Sequence, residues 1–204
     1  QADNGPEAYY DATLNLTWLV PDGSSTMTWQ QAMDWAAGLE VHGTTGWRLP
    51  AARPVQGNYH RRDFSNNGST DFGTAGPGAW GTASELGHLY YVTLGNKGGC
   101  RSDDDHPSDC EVELEGGLTQ TGPFESLAGY YYWTGSPLAR EHEDDDGHEH
   151  EDEDDYAWTF SMADGMQSEF DQADATPLVW AVHDGDIAPP IPEPSTYALM
   201  LTGL

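Results

Sequence analysis

The residues of this chain with the greatest capacity to bind an ion are acids and histidines set side by side. Glu141-His-Glu-Asp-Asp-Asp-Gly-His-Glu-His-Glu-Asp-Glu-Asp-Asp155 holds eleven carboxylates, three histidines and one glycine. Carboxylates are hard oxygen ligands suited to Ca²⁺ or Mg²⁺. His142, His148 and His150 add nitrogen ligands suited to Zn²⁺, Cu²⁺ or Ni²⁺. With Asp144, Asp146 and Asp152 they are the candidate metal ligands of the run. The order does not match an EF-hand loop, nor a closed zinc site. Loose capture of several divalent cations is the expected chemistry. The competing reading is a solvated loop that like-charge repulsion keeps extended.

A second cluster lies between the only two cysteines, in Cys100-Arg-Ser-Asp-Asp-Asp-His-Pro-Ser-Asp-Cys110. A disulfide between Cys100 and Cys110 is expected if the chain is exported. Closing so short a loop would stabilise by about 2–3 kcal/mol on the loop-entropy model. It would also hold Asp103, Asp104, Asp105, His106 and Asp109 together as a second candidate cation site. A solvated loop is again the alternative. The carboxylates of Asp164, Glu169, Asp171, Asp174, Asp184 and Asp186 are scattered near expected strand ends without a lectin-type calcium motif.

Catalytic signatures do not emerge. The chain has no Gly-x-Ser-x-Gly, no phosphate-binding glycine loop and no His-Glu-x-x-His. His88 sits beside the Leu86/Leu89 face of an expected helix and reads as a partly buried, satisfied histidine. A glycosidase pair of carboxylates cannot be chosen from spacing, because its geometry is spatial. The expectation is a non-enzymatic protein that requires no cofactor, with Ca²⁺ or other divalent cations as the ligands its acidity favours.

Seven Lys and Arg face 35 Asp and Glu, a net charge of -28. Nucleic acid is excluded as a partner, since phosphate binding needs a basic surface. Cationic partners and metal-bridged matrices fit instead. Eight Trp, ten Tyr and five Phe are enough for a substantial core. Trp18, Trp29, Trp35, Trp47, Trp133, Trp158 and Trp180 fall within expected elements. Trp80 lies in a glycine-rich loop, where it either anchors the loop or stacks on a ligand.

The elements that must position these groups follow from pattern. Leu14–Val20 alternates as a half-buried strand. Thr28 and Gln31 form a capping box, and Trp29, Ala32, Met33, Ala36 and Leu39 share a helical face, which predicts a helix over 29–39. Gly46–Pro50 reads as a short strand and 51–81 as a long irregular loop. Thr82 and Glu85 form a second capping box before a helix carrying Leu86, Leu89, Tyr90 and Leu94, stopped by Gly95-Asn96. Strands are expected at 129–136, 156–162 and 166–170, the last two joined at Ala163-Asp-Gly165. Pro177–Val182 is apolar throughout and reads as a central strand. Two early helices and late antiparallel strands imply an α+β fold. Residues 1–7 are an N-terminal extension and 8–187 the domain, with the acidic run at 141–155 as an insertion. Residues 188–204 form an extended Pro-rich tail.

That tail carries a resemblance. Pro189, Pro190, Pro192 and Pro194 favour an extended spacer, and an apolar stretch runs from Tyr197 to Leu204. Pro192-Glu193-Pro194 followed by this stretch resembles the PEP-CTERM sorting signal of Gram-negative bacteria. The apolar stretch is short of the ~20 residues of a membrane span and lacks the family's arginine cluster. The resemblance implies an exosortase-type sorting enzyme as a partner during export, and a place outside the cell or on its outer surface. Gln1-Ala2-Asp3 then fits a mature N-terminus.

A second resemblance runs through Trp29-Gln-Gln-Ala, Gly46-Trp-Arg-Leu-Pro50, Tyr132-Trp-Thr-Gly-Ser136, Ala157-Trp-Thr-Phe160 and Val179-Trp-Ala-Val182. In this order they resemble the C-terminal domain of the Legionella collagen-like adhesin, a family similar in fold to C-type lectins and the formylglycine-generating enzyme. His183 stands where that family often has Arg. The resemblance implies a C-type-lectin-like domain with two helices, a mainly antiparallel sheet and long loops. It also implies adhesion, contact with extracellular polysaccharide, or self-association, including as a subunit of an extracellular polymer. The alternatives are a metal-buffering protein working through the acidic-histidine loop, and an unrecognised hydrolase.

Overall fold

The computed structural model describes residues 7–76, 80–101, 111–112, 116–138 and 155–187. Two helices and mainly antiparallel sheets make an α+β fold. A three-stranded sheet places β1 (Ala8–Asp11) and β10 (Val182–Asp184) on either side of β2 (Leu16–Leu19). A five-stranded sheet runs in the order β3 (Phe64–Ser65), β4 (Phe72–Gly73), β9 (Gln167–Asp171), β8 (Tyr156–Ser161), β7 (Tyr131–Pro137). Only the β3–β4 pair is parallel among the described strand pairs. A small ribbon pairs β5 (Cys100–Arg101) with β6 (Glu111–Val112).

The larger sheet is covered on both faces. Strand residues alternate between faces, so Trp133 and Ala157 look one way, against Ala32 and Ala36 of α1 (Trp29–Ala37). Tyr132 and Phe160, paired across strands, look the other way, against Leu86, Leu89 and Tyr90. Trp158 closes a satellite cluster with Ala52 and Leu138. Along Tyr130-Tyr131-Tyr132 burial rises into β7: Tyr130, just before the strand, is largely exposed, Tyr131 half-buried and Tyr132 fully buried.

Helix α1 begins where the capping box predicts, with the Thr28 N–H donating to Gln31 Oε1 at 3.2 Å. It stops two residues early, because Gly38 turns the chain and Leu39 N–H donates back to Ala36 O at 3.2 Å. The second helix departs further. Its N-cap is Ser84, whose Oγ accepts the Gly87 N–H, rather than Thr82. Glu85 is drawn instead into an ion pair, described below. After one turn, α2 (Glu85–His88) passes into a π-helical turn, Leu89–Thr93. The extra residue in that turn buries Leu89, Tyr90 and Tyr91 in succession, where a plain helix would turn one outward.

Two expected strands are corrected. Gly46–Pro50 contributes a single bridge, Arg48 to Val182. Residues 177–181 are buried as expected but do not form a regular strand. Leu178 bridges Thr26 on one side and Tyr132 on the other, and Ala181 O accepts the Leu19 N–H. This segment passes from one sheet to the other, so no single partner strand can hold it. Strand β1 was not expected from the pattern.

The long loop is ordered around a buried carboxylate. Asp71 is fully buried and accepts the Val55 N–H at 2.8 Å and the Arg61 N–H at 2.7 Å. Trp80 is buried too, its indole N–H donating to Thr70 O at 2.8 Å, so it anchors the loop rather than facing solvent. The 163–165 turn between β8 and β9 matches expectation. Gly165 adopts a positive φ of 78° there, and the Tyr91 hydroxyl donates to its carbonyl at 2.9 Å.

Burial keeps several tyrosines neutral. It pushes Tyr132 up to about 12, the Ala128 N–H bond to its hydroxyl opposing that only in part. Burial also raises Tyr90 and Tyr91. An acid whose folded pKa is raised keeps its proton longer in the folded state, so its contribution is intact below the unfolded value and lost above it. Stability should therefore fall between about pH 10 and 12. Unfolding curves across that range, with tyrosinate absorbance followed in parallel, test this; unchanged stability to pH 12 would contradict the buried placement of these rings.

Candidate functional site

The ligand candidates named from sequence fall outside the described residues. That holds for Asp103, Asp104, Asp105, His106, Asp109 and Cys110, for His142, Asp144, Asp146, His148, His150 and Asp152, and for Pro192, Glu193 and Pro194. For Cys100 the backbone is described, opposite Val112, so the cysteine loop leaves and re-enters through a paired ribbon. The antiparallel β7–β8 pair likewise makes the acidic run the connection of a hairpin. Among the described residues no group of three or more His, Cys, Asp or Glu is placed to hold a metal. Their scattered carboxylates have local tasks. Asp171 Oδ1 accepts the Ala173 and Asp174 N–H groups, Asp164 Oδ1 accepts the Met166 N–H, and Glu169 pairs with Arg62. His88 is buried, with Nδ1 3.2 Å from Gly81 O.

Two surface features stand out instead. The first is an ion-pair cluster. Glu85, with a side chain only 4% exposed, receives both arms of the Arg48 guanidinium at 2.8 and 3.0 Å. It also accepts from the Ala51 N–H at 2.8 Å and Arg53 at 3.2 Å. Arg48 reaches on to Asp184 at 2.6 Å. Burial alone would lower the Arg48 pKa, but its hydrogen bonds to Glu85 and Asp184 outweigh that and hold it above its ordinary range. Shallow clefts of about 250 and 310 Å³ flank the cluster. Its charges are matched internally, so its evident work is to fasten α2 to the Arg48–Val182 bridge.

The second is an aromatic groove of about 370 Å³ beside β1. Its aromatic walls are Tyr9 and Phe124, with Leu94 and Thr93 from the end of the π turn, while Tyr10, the next residue of β1, borders it and turns its side chain to the other face of the sheet. Tyr9 meets Phe124 edge-on, with centroids 5.5 Å apart, and Phe124 meets the buried Trp180 at 5.0 Å. Tyr10 is 43% exposed, and its hydroxyl donates to Asn15 Oδ1 at 2.8 Å. The Thr93 hydroxyl donates to Asp11 Oδ2 at 2.7 Å, while Asp11 Oδ1 accepts the Thr13 N–H. Tyr9 and Phe124 are thus held by the core behind them, and the polar groups by one another.

Neither feature was foreseen. The signal for the first was present: arginine is rare in this chain, and Arg48 stands between Trp47 and Leu49, two core residues. The groove draws on residues about eighty to a hundred and ten positions apart, which no local pattern reports.

Compared with family models, curated proteins and solved structures, the chain matches none. Among the described residues, no helix is long and apolar enough to cross a membrane.

Removing the buried Glu85 carboxylate should leave Arg48 to Asp184 and the Leu49 carbonyl, and the Ala51 N–H without its acceptor. Glu85→Ala is expected to lower the unfolding free energy by about 3 kcal/mol. Asp184→Ala, which removes a carboxylate that is 74% exposed, should cost less than about 1 kcal/mol. Urea denaturation of both variants decides; equal effects would contradict the central place of Glu85.

Proposed function

We propose that this chain is a non-enzymatic exported protein of the outer surface or extracellular matrix of a Gram-negative bacterium. It works by adhesion through glycan contact, on a C-type-lectin-like domain. The observation that carries this reading is the groove beside β1, where Tyr9 and Phe124 meet the Thr93–Asp11 hydrogen bond at the protein surface. Ligand sites are concave and mostly apolar, with a few placed polar groups, and the groove has that make-up. The Pro192-Glu193-Pro194 tail supports export by an exosortase-type system. The net charge of -28 supports a role for divalent cations in bridging one copy to another.

Two measurements on the full chain test this. The chain should bind immobilised extracellular polysaccharide saturably by surface plasmon resonance, and absence of binding rejects the adhesion reading. Light scattering should show larger particles in millimolar Ca²⁺ that revert with chelator. Particles that stay monomeric at high protein concentration remove the cation-bridged assembly.

A further inference from the structure

Strand β1 is an outer strand of the three-stranded sheet, and among the described residues only β2 pairs with it. The phase of that pairing shows which backbone groups it leaves open. The Val20 N–H donates to Glu7 O at 2.8 Å, which makes these two a bonded pair. Bonded and unbonded pairs alternate along an antiparallel ladder. Tyr9 with Trp18 and Asp11 with Leu16 are therefore bonded, while Ala8 and Tyr10 turn their N–H and C=O groups away from β2. The far side of β2 agrees: Leu19, across from Ala8, gives its N–H to Ala181 O instead. Among the described residues, no backbone bond meets the outward groups of Ala8 and Tyr10. The groove runs along this same stretch, bordered by Tyr9 through Ala12 and backed by the buried Trp18 and Leu89. An open edge beside an apolar groove is the layout that takes an added strand. Main-chain bonds hold such a strand, and every second side chain enters the groove.

The chain itself carries a segment that fits. From Pro194 to Leu204 it has no charged side chain, against a net charge of -28 for the whole, and Tyr197, Leu199 and Leu201 would share one face of a strand. The fold also delivers the segment to the right end of the sheet. Strands β10 and β1 run the same way on either side of β2, and Asp184 lies level with Asp11, both opposite Leu16. The chain thus leaves the sheet at the Asp11 end of β1, and a strand entering there and running back toward Ala8 is antiparallel to β1. From β10 to a fourth strand outside β1 is about 14 Å, three strand spacings. The Pro-rich spacer 188–196, at about 3.1 Å per residue, reaches about 28 Å. A tether of that length holds the segment at about millimolar effective concentration, whereas a second copy's tail must overcome the repulsion between two acidic chains. We propose that residues 197–201 add to β1 of their own chain as an antiparallel fourth strand, with Tyr197, Leu199 and Leu201 in the groove. This does not depend on the glycan reading; a polysaccharide that uses the groove must displace the strand.

The test is amide hydrogen exchange of the full chain, resolved by residue with NMR, against a variant carrying Leu199→Asp and Leu201→Asp. In the full chain the Ala8 and Tyr10 amides should be protected. In the variant they should exchange at least about tenfold faster. The Trp18 and Leu19 amides, bonded within the sheet, should keep their protection and so show that the variant is folded. Ser195→Asp, a charge placed in the spacer, should change nothing. If the Ala8 and Tyr10 amides of the full chain exchange as fast as those of an unstructured peptide, the edge is bare and the proposal is overturned. Equal protection in the doubly substituted variant shows that something other than this tail covers the edge, which also overturns it. So does protection that appears only as protein concentration rises, with dimers in light scattering, because the strand then comes from a second copy. Failure of polysaccharide binding leaves this proposal standing, and failure here leaves the adhesion reading standing.

Discussion

The two sheets are held together by the course of one apolar segment, Leu178–Val182. Its backbone bonds to Ser25 and Tyr131 at its start, then to Leu19, and finally to Arg48 in both directions. Its side chains fill the space between the layers. Trp180 is fully buried against Trp18, Phe124 and Tyr132. A strand held by one neighbour could slip in register. This segment is held at successive residues by different elements and cannot slip without breaking all of them. The groove beside β1 depends on it directly, since Phe124 takes its orientation partly from Trp180.

The acidity of the chain is managed by place. Of the few cations, Arg48 and Arg53 converge on the buried Glu85, and Arg62 pairs with Glu169. Asp71 has no such partner among the described residues and accepts backbone N–H groups instead. Both solutions satisfy a buried carboxylate, which would otherwise cost several kcal/mol. The longest acidic run falls in sequence between the paired strands β7 and β8.

Local pattern made part of this fold legible. The Thr28–Gln31 capping box and the Ala32/Ala36 spacing located α1, and Ala163-Asp-Gly165 located the β8–β9 turn, because each rests on neighbours in sequence. The same logic misread Glu85. It has the spacing of a cap, but Arg48, thirty-seven positions away, makes the stronger bond. Residues 177–181 have the composition of a central strand and the burial of one, yet they serve two sheets. The burial of Trp80 depended on Thr70 O, which only the folded loop presents. For the candidate site the difference is sharper. Acid and histidine clusters are conspicuous in sequence, whereas Tyr9, Tyr10, Thr93 and Phe124 look ordinary until the fold assembles them.

The three-stranded sheet has a consequence in mechanics. Strands β1 and β10 both run antiparallel to β2, so they are parallel to each other. The chain enters that sheet at Ala8, opposite Leu19, and leaves it at Asp184, opposite Leu16. Tension between the two ends therefore pulls β1 and β10 in opposite directions along β2. The ladders are loaded in shear, with their bonds sharing the force, instead of being peeled apart one at a time. A molecule tethered on its C-terminal side and loaded on its N-terminal side would carry that load on its own sheet, directly beside the groove.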